Sequence, residues 1–247
     1  MPARTAEGTL RALSRKTIYI LALSGAAVIA AALVGASVLL AGGSSKSAAV
    51  EKGAPIQGAA AVNSLLAGIP QQGPVLGKRN APVTLVEYAD LQCPYCAHVA
   101  LGDFPGIVRD YVRTGKVRVV FNGLSFVGPD SVTALETALS AGTQKRLWHV
   151  VQLLYANQGG ENTGWVSEEF LRGVGGAVPG LDVGSMLAGR SARSISSARA
   201  EAQQSANTAG VTGTPSFAVG RTRGVLTLLS ANDAQTVRSA LDAALRG

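Results

Sequence analysis

The only two cysteines of this 247-residue chain, Cys93 and Cys96, lie three positions apart with Pro94 and Tyr95 between them. Thiols at this spacing can bind a metal ion, form a small structural disulfide, or act as a redox pair. A structural role is disfavoured, because closing a ring of about four residues stabilises by roughly 2 kcal/mol, against about 4.7 kcal/mol for a hundred-residue loop. Zinc is disfavoured because two cysteines supply half of the usual ligands and His98 lies on a different helix face. The pattern favours a redox pair, and copper binding stays open as an alternative.

Cys93 stands where a helix is predicted to begin. Pro94 suits a first helical turn, because its missing N–H would have no intrahelical partner there. The unpaired N–H groups and the positive end of the helix macrodipole favour a thiolate over a thiol at this position. A thiolate both attacks and leaves readily in disulfide exchange. Cys96 follows one turn later and is expected to be better shielded, so we expect Cys93 to bond with substrate and Cys96 to be its inner partner.

Two predicted strands flank this helix. The run PVTLVEYAD, residues 82–90, is almost continuously apolar and predicts a strand buried on both faces, interrupted by Glu87. The run KVRVVFNGL, residues 116–124, predicts a second strand. The intervening helix is expected to be kinked or divided at Pro105. A strand, a helix and a strand in this order indicate a parallel crossover unit and an α/β fold.

A long helical block is predicted after the second strand. Residues 130–209 show helical patterns throughout, with Asp130 as a candidate cap and an amphipathic helix over residues 143–158. The segment 212–229 then predicts a strand, a turn and a hairpin partner. An amphipathic helix over residues 232–245 closes the chain.

These features together resemble the DsbA-like branch of the thioredoxin superfamily, the extracytoplasmic thiol:disulfide oxidoreductases. The matching residues are Glu87, the Cys93-Pro94-Tyr95-Cys96 motif that opens a helix, and Thr214-Pro215 before a strand. The resemblance covers residues 69–247. It implies a thioredoxin fold with a central mixed β-sheet and an inserted all-helical subdomain over residues 130–209. It also implies a redox-active Cys93–Cys96 disulfide and no separate cofactor or metal.

Glu87 is an acid in an otherwise apolar strand, where a buried charge is costly and the pKa is expected to rise. Its position before Cys93 matches the acidic residue of the resembled family, so we predict that it exchanges a proton with Cys96 through water. A carboxylate at the strand end that reaches solvent is the alternative.

The resemblance implies further roles on the other side of the site. In that family the bond before the proline equivalent to Pro215 is cis, and the preceding residue, here Thr214, binds an extended substrate through its backbone. Pro94 and Tyr95 are expected to tune the redox potential. Many members of the family carry histidine where this chain has Tyr95.

The N-terminal residues predict an uncleaved membrane anchor, because their apolar run is longer than the roughly 7 to 15 residues of a signal-peptide core; a cleavable signal peptide is the alternative. Residues 18–41 contain no charged side chain and are long enough, as a helix, to cross a hydrocarbon layer of about 30 Å. Four basic residues against one acidic residue in segment 1–17 place that segment in the cytoplasm. Segment 42–68, rich in Gly, Ala and Ser, is predicted to be a flexible linker. The domain at 69–247 would then lie outside the cytoplasm, where disulfides persist.

Charge excludes one class of partner. The formal net charge of +7, less +3 for the segment before the anchor, leaves +4 for residues 42–247, spread over 22 − 4 = 18 basic and 15 − 1 = 14 acidic side chains. Such a spread forms no basic cluster, so nucleic acid is not expected as a partner.

Three functional hypotheses follow. The first is a membrane-anchored oxidoreductase that forms disulfides in exported, cysteine-containing proteins and is re-oxidised by a membrane partner of the DsbB or vitamin K epoxide reductase type, as the resemblance implies. The second is a reductase or isomerase that receives electrons across the membrane. The third is a copper-binding module that uses the thiols as ligands without turnover.

Overall fold

The computed structural model describes residues 55–247, which build a six-stranded mixed sheet in the order β1-β2-β4-β3-β5-β6. The strands are β1 (Gln71–Gln72), β2 (Val75–Leu76), β3 (Val83–Asp90), β4 (Val117–Leu124), β5 (Ser216–Arg221) and β6 (Thr227–Leu228). The short strands lie at the edges and the two eight-residue strands at the centre.

The helices alternate with this sheet and then form a separate block. They are α1 (Ala59–Leu66), α2 (Pro94–Gly102), α3 (Phe104–Ile107), a π-helical turn (Val108–Val112), α4 (Pro129–Thr143), α5 (Leu147–Ala156), α6 (Glu168–Gly176), α7 (Val183–Gly189), α8 (Arg193–Ala209) and α9 (Ala234–Arg246).

Strand β3 is the centre of the sheet, and all eight of its residues are buried. It runs parallel to β4, with Val83 opposite Val117 and Asp90 opposite Leu124. On its other side it pairs antiparallel with β5. The predicted parallel crossover and the buried strand are therefore confirmed, and so is the division of the connecting helix near Pro105.

Side chains of β3 alternate between two hydrophobic clusters, as the pleat of a strand requires. Val83, Leu85 and Ala89 belong to the larger cluster, which also contains residues of α2, α5 and α9. Val86 and Tyr88 belong to a smaller cluster with Ala206 of α8. Both faces of the central strand are thus covered by helices, which explains its continuous apolar sequence.

The predicted helical block is confirmed, because α4 to α8 occupy residues 129–209 without a strand. Trp148 of α5 is fully buried and joins the block to the rest of the domain. Its ring stacks on Phe104 at 5.1 Å and meets Phe121 edge-on at 5.8 Å. Its indole N–H donates to Pro74 O at 3.0 Å. Aromatic pairs of this kind contribute about 0.5–1.5 kcal/mol each beyond the area they bury.

The predicted linker is wrong over its last part. Residues Ala59–Leu66 form α1, and Val62 and Leu66 are buried in the larger cluster. The Arg113 guanidinium donates to Leu65 O and Ala67 O, at 2.7 and 3.0 Å. Alanine is the strongest helix former, and Val62 and Leu66 lie four positions apart on one helix face, so the segment folds onto the core. The remainder of the predicted linker lies outside the described residues.

The helical block differs from the prediction at two points. Asp130 does not cap α4, because Pro129 takes the first helical position and Gly128 the N-cap. The Asp130 carboxylate instead accepts a hydrogen bond from Gly164 N at 2.8 Å. The helix predicted over residues 143–158 is interrupted, since α4 ends at Thr143 and α5 begins at Leu147. Lys145, with a φ of 62°, makes that turn.

The predicted cytoplasmic segment 1–17 and the anchor at 18–41 lie outside the described residues. Between residues 55 and 247, none of the helices has both the length and the apolar character that a bilayer crossing requires.

The packing of α1 predicts that Leu66→Ala lowers the free energy of unfolding by about 2–5 kcal/mol, because a buried leucine is removed and a cavity remains. Ser64→Ala, at an exposed position of the same helix, should change it by less than about 0.5 kcal/mol. Urea unfolding of the full-length chain followed by tryptophan fluorescence measures both. Equal, small effects of the two substitutions would show that this segment is a tether.

Candidate active site

The two cysteines lie at the junction between β3 and α2. Strand β3 ends at Asp90, and Cys93 is the N-cap of α2 with extended backbone angles. Pro94 occupies the first helical turn, as predicted. Both thiols are free, and their exposures differ in the expected order, with 7% of Cys93 and 0% of Cys96 accessible. Cys93 is thus the less shielded of the two sulfurs.

The two thiols have opposite acidities. The pKa of Cys93 falls from 9.0 to about 6, chiefly because the Cys96 side chain hydrogen-bonds to its sulfur. Hydrogen bonds from the Thr214 side chain and from the backbone N–H groups of Cys96 and Tyr95 add to this, while partial burial opposes it. The pKa of Cys96 rises far above its usual range, because it is buried and because it faces the charge of Cys93. Near neutral pH the pair therefore consists of an outer thiolate and an inner protonated donor.

The loop before β5 forms the opposite wall of the site. The Thr214–Pro215 peptide bond is cis, as the resemblance predicts. The Cys93 sulfur lies 3.4 Å from Thr214 O, to which the thiol can donate. The Asn232 amide donates to Pro215 O at 3.0 Å, which anchors this loop to the segment before α9. The structure thus brings the Thr214–Pro215 loop next to Cys93, although the two are about 120 residues apart in sequence.

Glu87 lies inside the sheet and does not reach solvent, since 2% of it is exposed. In β3 it sits between Phe121 and Phe217 of the neighbouring strands. Burial raises its pKa from 4.5 to about 7. The alternative of a solvent-facing carboxylate at the strand end is therefore wrong.

Tyr155 of α5 is a buried neighbour of this acid and of the inner thiol. Its pKa lies well above the usual value, first because of burial and then because of the charges of Cys96 and Glu87. Its hydroxyl donates to Asp90 O at 3.3 Å. The phenol consequently stays protonated within electrostatic reach of both groups.

A buried carboxylate, Asp90, organises the segment before Cys93. One of its oxygens accepts from Gln92 N at 2.9 Å and from the Ser131 hydroxyl at 2.6 Å. The other accepts from Val127 N at 3.1 Å. A fully buried carboxylate is tolerated because these donors replace water. It joins the end of β3 to the start of α4.

Gln158 and Asn162 of the helical block form hydrogen bonds with the segment from Leu91 to Cys93. The Gln158 amide donates to Leu91 O at 2.9 Å and to Cys93 O at 3.2 Å. The Gln92 amide donates to Asn162 Oδ1 at 3.0 Å and accepts from Asn162 N at 2.7 Å. Sequence reasoning missed Gln92, Gln158 and Asn162, because no spacing rule connects a loop with positions 65 to 70 residues downstream.

The other residues of the motif and the two histidines have different surroundings. Tyr95 is 74% exposed, and Pro94 and His98 are exposed. His149 is buried and packs in the fold, with its Nδ1 at 2.9 Å from the Gln71 amide. Within residues 55–247, no three His, Cys, Asp or Glu side chains converge on a point where a metal ion could bind.

Comparison with known proteins agrees with this geometry. Residues 70–243 match the Thioredoxin family, so the chain belongs to it. The chain is 32% identical over 114 residues to a probable disulfide bond formation protein D of Bacillus anthracis, covering 45% of this chain and 52% of that protein. The match thus spans about half the length of that relative.

Solved structures share the fold. BdbD of Bacillus subtilis, in its oxidised form, superposes with a TM-score of 0.63 at 22% identity, over 72% of this chain and 98% of that one. DsbA of Chlamydia trachomatis superposes with a TM-score of 0.59 at 15% identity, over 69% and 90%. The shared fold, together with the family match and the disulfide bond formation relative, confirms the resemblance to the DsbA-like family.

The acidity of Cys93 predicts that iodoacetamide alkylates it in the reduced protein with a half-maximal rate near pH 6. Cys96→Ala removes the strongest donor and should raise that midpoint. Cys96→Ser keeps an O–H donor and should raise it less. A midpoint near the ordinary value of 9.0 in the unaltered protein would contradict this arrangement.

The burial of Glu87 predicts a pH-dependent stability. A pKa raised from 4.5 to about 7 means that the folded state holds the proton more tightly, so stability is full below pH 4.5 and falls as the pH rises to about 7. This shift corresponds to roughly 3 kcal/mol.

Glu87→Gln should therefore stabilise the reduced protein at pH 8 by up to about 3 kcal/mol and change it little at pH 4. Glu201→Gln, at an exposed position of α8, is the matched control and should have little effect at either pH. Urea unfolding across this pH range measures the difference. An equal effect of Glu87→Gln at both pH values would show that the carboxyl is not titrating between them.

Proposed function

We propose that this protein is a membrane-anchored thiol:disulfide oxidoreductase that forms disulfides in exported proteins. The observation that carries the proposal is the pairing of an acidic, partly shielded Cys93 with a fully buried Cys96 that stays protonated. Family membership and the disulfide bond formation relative support the same activity.

The proposed reaction starts from the Cys93–Cys96 disulfide. A substrate thiolate attacks the Cys93 sulfur, the bond to Cys96 breaks, and Cys96 takes up a proton. A second thiolate of the same substrate then attacks the substrate sulfur in this mixed disulfide and releases Cys93 as a thiolate. The substrate gains a disulfide, and two electrons remain on the reduced cysteine pair.

The direction follows from the acidity of Cys93. A thiolate that is stabilised in the folded protein stabilises the reduced form, which makes the disulfide a stronger oxidant. It also makes Cys93 a good leaving group in the second step. The absence of a histidine at Tyr95 is offset by the Cys96 thiol and by backbone N–H groups, which supply the stabilisation.

Glu87 is proposed to donate a proton to Cys96 when its sulfur leaves and to accept one in the reverse step. Its pKa of about 7 lets it both donate and accept at neutral pH. A leaving Cys96 needs a proton, and the reverse step must remove one from a thiol whose pKa is far above neutrality. Water is the proposed carrier between the two groups.

Thr214 is proposed to bind the substrate backbone. Its carbonyl lies 3.4 Å from the Cys93 sulfur, so a peptide joined to that sulfur would run past this loop. Backbone pairing of this kind depends little on side chains, which suits an enzyme with many substrates. Pro94 and Tyr95 are proposed to adjust the redox potential from their exposed positions in the motif.

The cellular setting belongs to the same proposal. The apolar segment at 18–41 would anchor the protein with its N-terminus in the cytoplasm and the catalytic domain outside. Turnover then requires a membrane partner that re-oxidises the pair, of the DsbB or vitamin K epoxide reductase type. The same site could run as a reductase or isomerase if a membrane donor supplied electrons, and Cu(I) binding to the two thiols is the competing non-enzymatic function.

The reduction potential of the pair, measured in glutathione buffers, tests the direction. We expect a value well above the roughly −270 mV of thioredoxin, together with oxidation of a reduced, unfolded substrate protein. A value near that of thioredoxin would contradict the oxidase function, and stoichiometric Cu(I) binding without thiol exchange would contradict enzymatic function.

Trapping of the intermediate tests the division of roles. Cys96→Ser should accumulate mixed disulfides through Cys93, because the second sulfur can no longer resolve them. Cys93→Ser is the matched control and should accumulate few, since Cys96 is fully buried. Adducts formed equally by both variants would reverse the assignment of the two sulfurs.

A further inference from the structure

A cavity lies at the end of α5 opposite to the cysteines. It has a volume of about 850 Å³ and opens between the residues around β1, the turn before α5 and the end of α1. The α5 helix has ten residues and is therefore about 15 Å long. Gln158, just beyond its C-terminus, contacts Cys93 O, whereas this cavity is lined by residues at its N-terminus. The cavity is distinct from the redox site.

The lining of the cavity carries positive charge only. Lys78, Arg79, Lys145 and Arg146 line it, and no Asp or Glu does. Among the described residues, none of these four side chains takes part in an ion pair. Four like charges around one cavity repel each other, and a bound anion would relieve that repulsion.

The two guanidinium groups are held in place by neutral acceptors. Arg146 donates through Nε to Pro179 O at 2.9 Å and through Nη1 to Lys145 O at 3.0 Å. Arg79 donates through Nη1 to Gln72 Oε1 at 2.8 Å. These bonds fix the groups without neutralising them, and each keeps further N–H donors for a ligand. Fixed donors lose less conformational entropy when an anion binds.

An N–H donor on a largely buried side chain also lines the cavity. Gln71 and His149 are 7% and 8% exposed. Gln71 Oε1 accepts from Trp148 N at 3.1 Å, so its Nε2 is the atom that faces His149 Nδ1, at 2.9 Å. An amide nitrogen donates, hence Nδ1 accepts and the proton of the neutral ring is on Nε2.

No described residue accepts a hydrogen bond from His149 Nε2. Burial and the nearby charge of Arg146 lower the pKa of this histidine to about 4, which keeps the ring neutral near pH 7. The Nε2–H is not among the fully buried unpaired atoms of the described residues, so it is accessible to a ligand or to solvent.

We propose that this cavity binds a phosphate ester. Phosphate offers several acceptor oxygens and a full negative charge, and it matches the planar donor array of arginine better than a single neutral acceptor does. The volume leaves room for a substituent of the size of glycerol. Such an ester could be a free organic phosphate or the headgroup of a phospholipid, and both present the same phosphate chemistry to the cavity.

Calorimetric titration of the full-length chain in uncharged detergent micelles tests the proposal with two probes, glycerol 1-phosphate and a short-chain phosphatidylglycerol. We expect saturable binding of one ester per chain. Binding of both probes assigns the site to the phosphate group itself, and binding of the lipid alone assigns it to a headgroup. Binding of neither probe overturns the proposal.

Matched variants locate the binding. Arg146→Gln and Lys145→Gln should each weaken it about tenfold or more, since charged hydrogen bonds are worth roughly 1.5–3 kcal/mol. Arg193→Gln removes an exposed charge elsewhere and should leave it unchanged. Equal weakening by all three would show a diffuse charge effect and overturn the site. Cys93 alkylation should be the same in every variant and serves as the check on folding.

Nitrogen-15 NMR of the histidine rings gives a second, mutation-free measurement. The chain has two histidines, and His98 is exposed on α2. Glycerol 1-phosphate or the lipid should shift the Nε2–H signal of His149 and leave that of His98 unchanged. Shifts of both rings, or of neither, would contradict binding in this cavity.

Discussion

The hydrogen bond from the Cys96 thiol to the Cys93 sulfur is the interaction on which the acidity of Cys93 depends most. Cys96 can donate to Cys93 only while it remains protonated, and it remains protonated because the sheet and α5 exclude water from it. That donor is the largest cause of the lowered pKa of Cys93. The depth of one sulfur therefore sets the acidity of the other, and the surrounding fold maintains the difference in depth between residues one helical turn apart.

The helical block holds this arrangement as well as covering it. Asp90 and Gln92 bind the start of α4 and the loop at Asn162, and Gln158 binds the two carbonyls that flank Gln92. Each of these bonds ends on the short segment that leads from the central strand to Cys93. Buried polar networks are favourable only when they are fully paired, so the block and the segment must form together. The inserted helical block is thus a part of the framework that positions Cys93.

The sequence predicted the features that depend on local patterns. The continuous apolar run of β3, the parallel pairing with β4 and the proline after Cys93 have short-range signals, and the structure contains all three. The cis Thr214–Pro215 bond was predicted only from the resemblance to the DsbA-like family. No sequence pattern pointed to Gln158 and Asn162, which bond to the segment before Cys93. Glutamine and asparagine are ordinary surface residues unless the fold brings a partner to them. Helix α1 was missed because an alanine-rich segment predicts a tether or a helix equally, and the choice depends on Val62 and Leu66 finding a core.

The first described residues give the domain a mechanical property. Two hydrogen bonds join Gln57 to Asn157. Gln57 N donates to Asn157 Oδ1 at 2.8 Å, and Asn157 Nδ2 donates to Gln57 O at 3.1 Å. Asn157 directly precedes Gln158, whose amide holds Cys93 O. A force applied along the backbone from the N-terminal side is consequently transmitted to Asn157, one residue away from the amide that holds the Cys93 carbonyl.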